Sequence, residues 1–177
     1  LVAGLPNPEQ TIVGRVLLMP SPSTEGLWFA SYQVTIPQQF AGALIFKSTD
    51  GGASWVSVGT DGYNYCGNQC GYSNVAEIHP TDPNTVFLGG QANYTGETLE
   101  NFTIRQVMIK TVNGGQSWID LSPNANPQTT LHPDMQVITF DPQDPETIWI
   151  GNDGGVMRST DGGATWQGRN NGLATLQ

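Results

Sequence analysis

An all-β chain of repeated four-stranded antiparallel units is predicted by three observations. The first is an eight-residue segment that occurs three times. Residues 48–55 read Ser-Thr-Asp-Gly-Gly-Ala-Ser-Trp, residues 111–118 Thr-Val-Asn-Gly-Gly-Gln-Ser-Trp, and residues 159–166 Ser-Thr-Asp-Gly-Gly-Ala-Thr-Trp. The second is a Pro/Asp turn upstream, His-Pro-Thr-Asp-Pro-Asn-Thr-Val-Phe-Leu-Gly at 79–89 and Asp-Pro-Gln-Asp-Pro-Glu-Thr-Ile-Trp-Ile-Gly at 141–151. The third is composition. With 22 Gly, 12 Pro and only 12% charged residues, the chain lacks the Glu, Lys, Ala and Leu that long amphipathic helices need.

Each unit then reads strand, Pro/Asp turn, strand, loop, strand, Gly-Gly turn, strand. The spacing places strands at Arg15–Met19, Leu27–Gln33, Leu44–Lys47 and Trp55–Val58 in the first unit. The second has Ser73–Ile78, Thr85–Gly89, Arg105–Lys110 and Trp118–Leu121, the third Gln136–Phe140, Thr147–Gly151, Val156–Arg158 and Thr165–Gln167. All are short, β-branched or aromatic, and bounded by Pro, Asp or Gly. Four strands per repeat of about 45–60 residues is the arithmetic of a propeller blade. The chain divides into a lead-in loop (1–12), blade 1 (13–60), a cysteine loop (61–71), blade 2 (72–122), blade 3 (123–168) and a lead toward a further blade (169–177). Blade 2 carries an insertion at 91–104; insertions confined to one connection project from one face of an array, often the binding face.

The repeated segment has the chemistry of a hairpin turn. Gly, Asn and Asp adopt positive φ cheaply. The Asp50, Asn113 or Asp161 side chain can accept from backbone N–H groups further on. Ser48, Thr111 and Ser159 can bond back across the turn; Gly52, Gly115 and Gly163 leave room; Trp55, Trp118 and Trp166 can lie over it and bury against a neighbouring blade. Residues that repeat once per blade fit a fold element, whereas an active site needs unlike residues at one place.

The net charge is −9, from 15 acidic and 6 basic residues. No basic patch exists to neutralise phosphates, so nucleic acid is excluded, and an anionic membrane surface is disfavoured. No apolar run approaches the ~20 residues of a membrane span. Cys66 and Cys70 read as a disulfide closing a small loop, worth about 2 kcal/mol. Two free thiols are the alternative, and a metal site stands third because no second ligand pair accompanies them. Asn93-Tyr94-Thr95 and Asn101-Phe102-Thr103 fit the N-glycosylation sequon, a pattern that chance also produces.

The three turn segments resemble the Asp-box (BNR) repeats of sialidases, xyloglucanase-type glycoside hydrolases and the sortilin ectodomain. The likeness is greatest to secreted bacterial BNR-repeat proteins with a sortilin-like propeller. Gly14-Arg15-Val16, Tyr65-Cys66-Gly67-Asn68-Gln69-Cys70, His132-Pro133-Asp134, Gly151-Asn152-Asp153-Gly154-Gly155-Val156 and Asn170-Asn171-Gly172-Leu173-Ala174-Thr175 also carry it. The resemblance implies a larger propeller whose turns sit on the rim, away from the axial ligand face. Three blades cannot close a ring, so the remaining blades are expected on the same chain or on partner subunits. It further implies an extracellular, cell-surface or periplasmic location and no cofactor beyond a structural cation such as calcium. None of the four arginines, Arg15, Arg105, Arg158 and Arg169, stands in an evident sialidase motif.

Residues that break the repeat are the better site candidates. Blade 3 has Asn152-Asp153 where blade 2 has Gly90-Gln91, and His132 and Asp134 lead into its first strand. These four could converge on the axial face and bind a ligand or a cation, or serve only as strand lead-in and turn. The expected function is a non-catalytic binding or scaffold module for a protein or glycan, with a role as an assembly factor for a larger complex behind it. The alternative is a glycoside hydrolase of the xyloglucanase-like type, with Asp134 and Asp153 as its acid and base.

Overall fold

The computed structural model describes residues 2–7, 9, 11–91, 93–95, 103–122 and 131–173, with backbone alone for 93–95 and 103–105. The described chain is all-β and forms three four-stranded antiparallel sheets, a segment of a propeller. Blade 1 runs in order through β1 (Ile12–Pro20), β2 (Trp28–Ile36), β3 (Phe40–Ser48) and β4 (Val56–Val58). Blade 2 starts with β5 (Asn74–Ile78) and β6 (Val86–Gly90). A separate hairpin follows, β7 (Asn93–Thr95) with β8 (Thr103–Arg105), before β9 (Met108–Thr111) and β10 (Ile119–Asp120) complete the sheet. Blade 3 is β11 (Met135–Asp141), β12 (Asp144–Asn152), β13 (Gly155–Ser159) and β14 (Gln167–Gly168).

The first strands face one another, with β5 packed between β1 and β11. Two apolar layers hold the blades together. Between blades 1 and 2 lie Phe29, Ile45, Ile78, Val86, Leu88, Ile109 and Trp118. Between blades 2 and 3 lie Val75, Phe87, Met108, Met135, Ile138, Ile150 and Trp166. The alternation that buries one set against each neighbour follows from the two-residue period of a strand.

The three Gly-Gly turns are built alike. Ser48 Oγ donates to Asp50 Oδ1 at 2.7 Å and accepts from Gly52 N at 2.9 Å, while Asp50 Oδ1 accepts from Ser54 N at 2.9 Å. Ser159, Asp161, Gly163 and Thr165 repeat this at 2.7, 2.9 and 2.8 Å. In blade 2 Asn113 replaces the aspartate, accepting from Ser117 N at 2.9 Å and donating Nδ2 to Ser117 Oγ at 2.8 Å. Gly52, Gly115 and Gly163 have φ of 90°, 91° and 89°, which a side chain rarely adopts. Each turn is bonded to the Pro/Asp turn of its own blade, through Gly51 N to Gly26 O, Gly114 N to Asn84 O and Gly162 N to Glu146 O. The two sets of turns therefore share one face. His79 serves its turn, its Nδ1 accepting from Thr81 N and Asp82 N.

The hydroxyl and amide of Ser54, followed by the Ser48 hydroxyl, hold the Asp50 carboxyl down from the ordinary 3.8 to about 2. At Asp161 burial opposes the shift, but the Thr165 and Ser159 bonds outweigh it. A carboxyl depressed in the folded state adds stability above its unfolded value and loses it as pH falls through the folded one. The melting temperature should therefore drop between about pH 4 and pH 2. Asp50→Asn with Asp161→Asn should shrink that drop and keep the fold at neutral pH, because Asn113 already fills the place in blade 2. An unchanged acid profile in thermal melts would refute this.

The outer strands β4, β10 and β14 begin after the tryptophan of each turn segment. Two of those tryptophan N–H groups are bound elsewhere: Trp55 N donates to Ala3 O and Trp118 N to Asp61 Oδ2. The single strand expected at Arg105–Lys110 is divided. Gln106, at φ 59°, donates its N–H to both Asp120 oxygens, and Val107 N donates to Ser122 Oγ. These bonds to the outer-strand side replace the ladder until β9 begins.

Cys66 and Cys70 are disulfide-bonded and fully buried in the layer between blades 1 and 2. Beside them Tyr65 Oη, Ser31 Oγ and Asn74 form a buried polar triad. Ser31 Oγ and Tyr65 Oη lie 2.8 Å apart, Tyr65 Oη donates to Asn74 Oδ1 at 3.1 Å, and Asn74 Nδ2 donates to Ser31 Oγ at 3.0 Å. Burial pushes the Tyr65 phenol well up, so it remains a donor.

Candidate functional site

The opposite face carries the starts of β1, β5 and β11, the β12–β13 turn, the cysteine loop and the β7–β8 hairpin. Asn93 lies in β7, whereas Asn101 and Phe102 lie outside the described residues. Here Tyr72 of blade 2 meets Asp153 of blade 3, 81 positions away in sequence. The phenol donates to the carboxylate, 3.2 Å from Oδ1 and 3.4 Å from Oδ2. The Asp153 charge, with smaller contributions from burial and from Asp134, pushes the phenol above its ordinary pKa. Tyr72 therefore stays protonated beside the Asp153 carboxylate, and the residue is 54% exposed.

Counted back along the sequence, Tyr72 and Asp134 stand at equivalent offsets, although the register shift between Met135 and Val137 matches Met135 with Asn74 in the ladder. Each precedes by three residues a valine, Val75 or Val137, whose partner on the second strand is a glycine, Gly89 or Gly151. Asp134 adopts φ 60°, a conformation aspartate tolerates better than most residues. Its Oδ1 is buried without a hydrogen-bond partner among the described residues. Arg15 Nη1 donates to the Tyr72 carbonyl at 3.2 Å, and Gln33 Oε1 accepts from Arg15 N at 2.8 Å. A Cβ on Gly71 would lie 3.1 Å from the same Gln33 oxygen. Blade 1 thus fixes the loop that presents Tyr72.

The four residues expected from sequence divide. Asp134 and Asp153 reach the same patch around Tyr72. Asn152 is 9% exposed and faces inward: its Nδ2 donates to His132 O at 3.2 Å and its Oδ1 accepts from Gly154 N at 3.0 Å. It holds the strand lead-in against the β12–β13 turn. His132 packs on that turn, where a Cβ on Gly154 would lie 2.7 Å from its own Cβ; its Nδ1 lies 3.0 Å from Pro133 O. Tyr72, which sequence reasoning passed over, could have been found as the residue at blade 2's equivalent of Asp134. Among the described residues no three His, Cys, Asp or Glu side chains stand close enough to hold a metal ion.

A second concavity, of about 270 Å³, lies on the face of the Gly-Gly turns, lined by Pro22, Pro80, Pro142, Pro145, Phe140 and Glu77 among others. Burial raises the Glu77 carboxyl.

No family model matches the chain, and no curated protein matches it. Solved structures that share its fold include two GH74 enzymes. The GH74 enzyme of Niastella koreensis superposes with a TM-score of 0.58 at 22% identity, covering 88% of this chain and 22% of that one. The GH74 xyloglucanase from Xanthomonas campestris gives 0.59 at 14% identity, covering 84% of this chain and 22% of that one. The chain thus spans about a fifth of the length of these neighbours.

Proposed function

We propose that this chain is part of a secreted or cell-surface propeller that binds a neutral glycan on its loop face. The observation that carries the reading is Tyr72: a half-exposed ring with an apolar face, bonded to the Asp153 carboxylate and within the field of Asp134. An aromatic face takes the C–H side of a sugar, and carboxylate oxygens accept from its hydroxyls. Arg15 and Gln33 hold the ring's loop, so little order need be lost on binding. Scarce positive charge disfavours anionic ligands. The disulfide suits an oxidising compartment.

The alternative is a glycoside hydrolase in which Asp134 and Asp153 divide the acid and base roles, a reading the GH74 neighbours keep in play through fold alone. A panel of soluble polysaccharides separates the two. Calorimetry should find one that binds, with Tyr72→Ala weakening it about tenfold or more and Asp153→Asn less. No reducing ends should appear. Failure to bind any member would sink the glycan reading, and release of reducing ends that Asp153→Asn abolishes would replace it with the hydrolase.

A further inference from the structure

The concavity on the turn face lies where blade 2 meets blade 3. Its walls are the ends of β5 and β11 and the Pro/Asp turns that follow them, with Pro22 reaching in from blade 1. β5 and β11 pack directly on one another, so the space belongs to an internal junction of the array. It faces away from Tyr72 and is independent of the glycan reading.

Glu77 breaks the repeat there. It pairs with Phe87, as Met19 pairs with Phe29 in blade 1 and Thr139 with Trp149 in blade 3. Each of those aromatic residues pairs in turn with the basic residue before a Gly-Gly turn, Lys110, Lys47 or Arg158, which fixes the equivalence. Met19 is 5% exposed, within the apolar layer between blades 1 and 2. The fold thus buries a methionine at this point in blade 1 and places a carboxylic acid there in blade 2. Glu77 is half-buried, with no ion pair or side-chain hydrogen bond among the described residues. Burial raises its carboxyl, and no neighbouring cation offsets the rise. A carboxylate drawn partly out of water without a partner is costly, and such a group in a concavity marks a candidate site.

The rest of the lining is apolar and rigid. Pro80, Pro142 and Pro145 have fixed φ. The Phe140 ring is held edge-on by His79 and Phe87, at centroid distances of 5.2 and 5.7 Å. At about 270 Å³ the space falls just below the ~300–1,000 Å³ of small-molecule sites, a size for one side chain. An apolar stem ending in a cation matches an apolar wall with one carboxylate. The net charge of −9 draws basic partners to the protein.

We propose that this groove is a docking site for a partner protein and takes one of its basic side chains, the charge on Glu77 and the methylenes against Phe140 and the prolines. Two-dimensional NMR of the intact protein, titrated with the blocked tripeptide acetyl-Gly-Lys-Gly-amide, tests this. Amide signals of Thr81, Phe140 and Asp141 should shift. The norleucine peptide, which keeps the stem and lacks the charge, should bind about tenfold more weakly or worse. Glu77→Gln should weaken the lysine peptide by a similar factor, whereas Glu25→Gln, at an exposed acid of the same face, should not. Glu77→Met should also lose the peptide while keeping or raising the melting temperature, a result that separates a binding residue from one kept for the fold. No shift with the lysine peptide, or shifts that Glu77→Gln leaves unchanged, would overturn the proposal. So would shifts with n-butylammonium alone, which would make the ligand a free amine.

Discussion

Trp118→Ala should lower stability by about 3–5 kcal/mol and the melting temperature by about 6–20 °C. The indole is 5% exposed in the layer between blades 1 and 2. Its Nε1 donates to Gly59 O at 2.7 Å, and its backbone N donates to Asp61 Oδ2 at 2.7 Å. Truncation would empty an aromatic volume between two sheets and leave the Gly59 carbonyl without its donor. Neighbouring strands cannot collapse into the space without breaking register. Trp55 is the internal control. Its Nε1 bonds within its own turn, to Gly52 O at 3.1 Å, and its cluster is bounded by the partly buried Leu5, Trp28, Tyr32 and Leu44. Trp55→Ala should therefore cost less. Urea titrations of both variants would expose the error if Trp55→Ala proved the more damaging.

Asn74→Ala should cost about 2–3 kcal/mol, through the hydrogen bonds it removes rather than the volume. Asn74, Ser31 and Tyr65 are fully buried or nearly so, and each bonds to the other two. They come from β5, β2 and the cysteine loop, so the triad ties blade 1 to blade 2 beside the disulfide. Without Asn74, the Ser31 and Tyr65 hydroxyls retain each other but lose their remaining partner. Tyr65→Phe should cost less alone. The two changes together should fall short of the sum, because the second removes a group the first has already left under-partnered. Strict additivity in a double-mutant cycle would mean that the three groups do not act as a unit.

The fold was legible because its signals are local. The Ser/Thr-x-Asp/Asn-Gly-Gly pattern dictates a turn through bonds spanning two to four residues, and Pro and β-branched residues mark the strands between. The division at Gln106 was not legible, since it depends on the side chains of Asp120, in β10, and of Ser122, just after it. Of the loop-face patch, Asp134 and Asp153 could be named as departures from the repeat. Tyr72 could not be paired with Asp153 without knowing how blade 2 lies on blade 3. Asn152 stands out as much as Asp153 in sequence, yet strand alternation turns it inward. Lys47, Lys110 and Arg158 each immediately precede a turn segment, and only the register revealed that each lies over an aromatic ring of the adjacent strand, Phe29, Phe87 or Trp149.

The central claim is that the loop face around Tyr72 is where this chain meets its ligand. A crystal structure with an oligosaccharide from the best-binding polysaccharide tests it most directly. A sugar ring stacked on Tyr72, with a hydroxyl bonded to Asp153 or Asp134, is the predicted result. A sugar seated in the proline-lined groove on the opposite face, with Tyr72 bare, would contradict it.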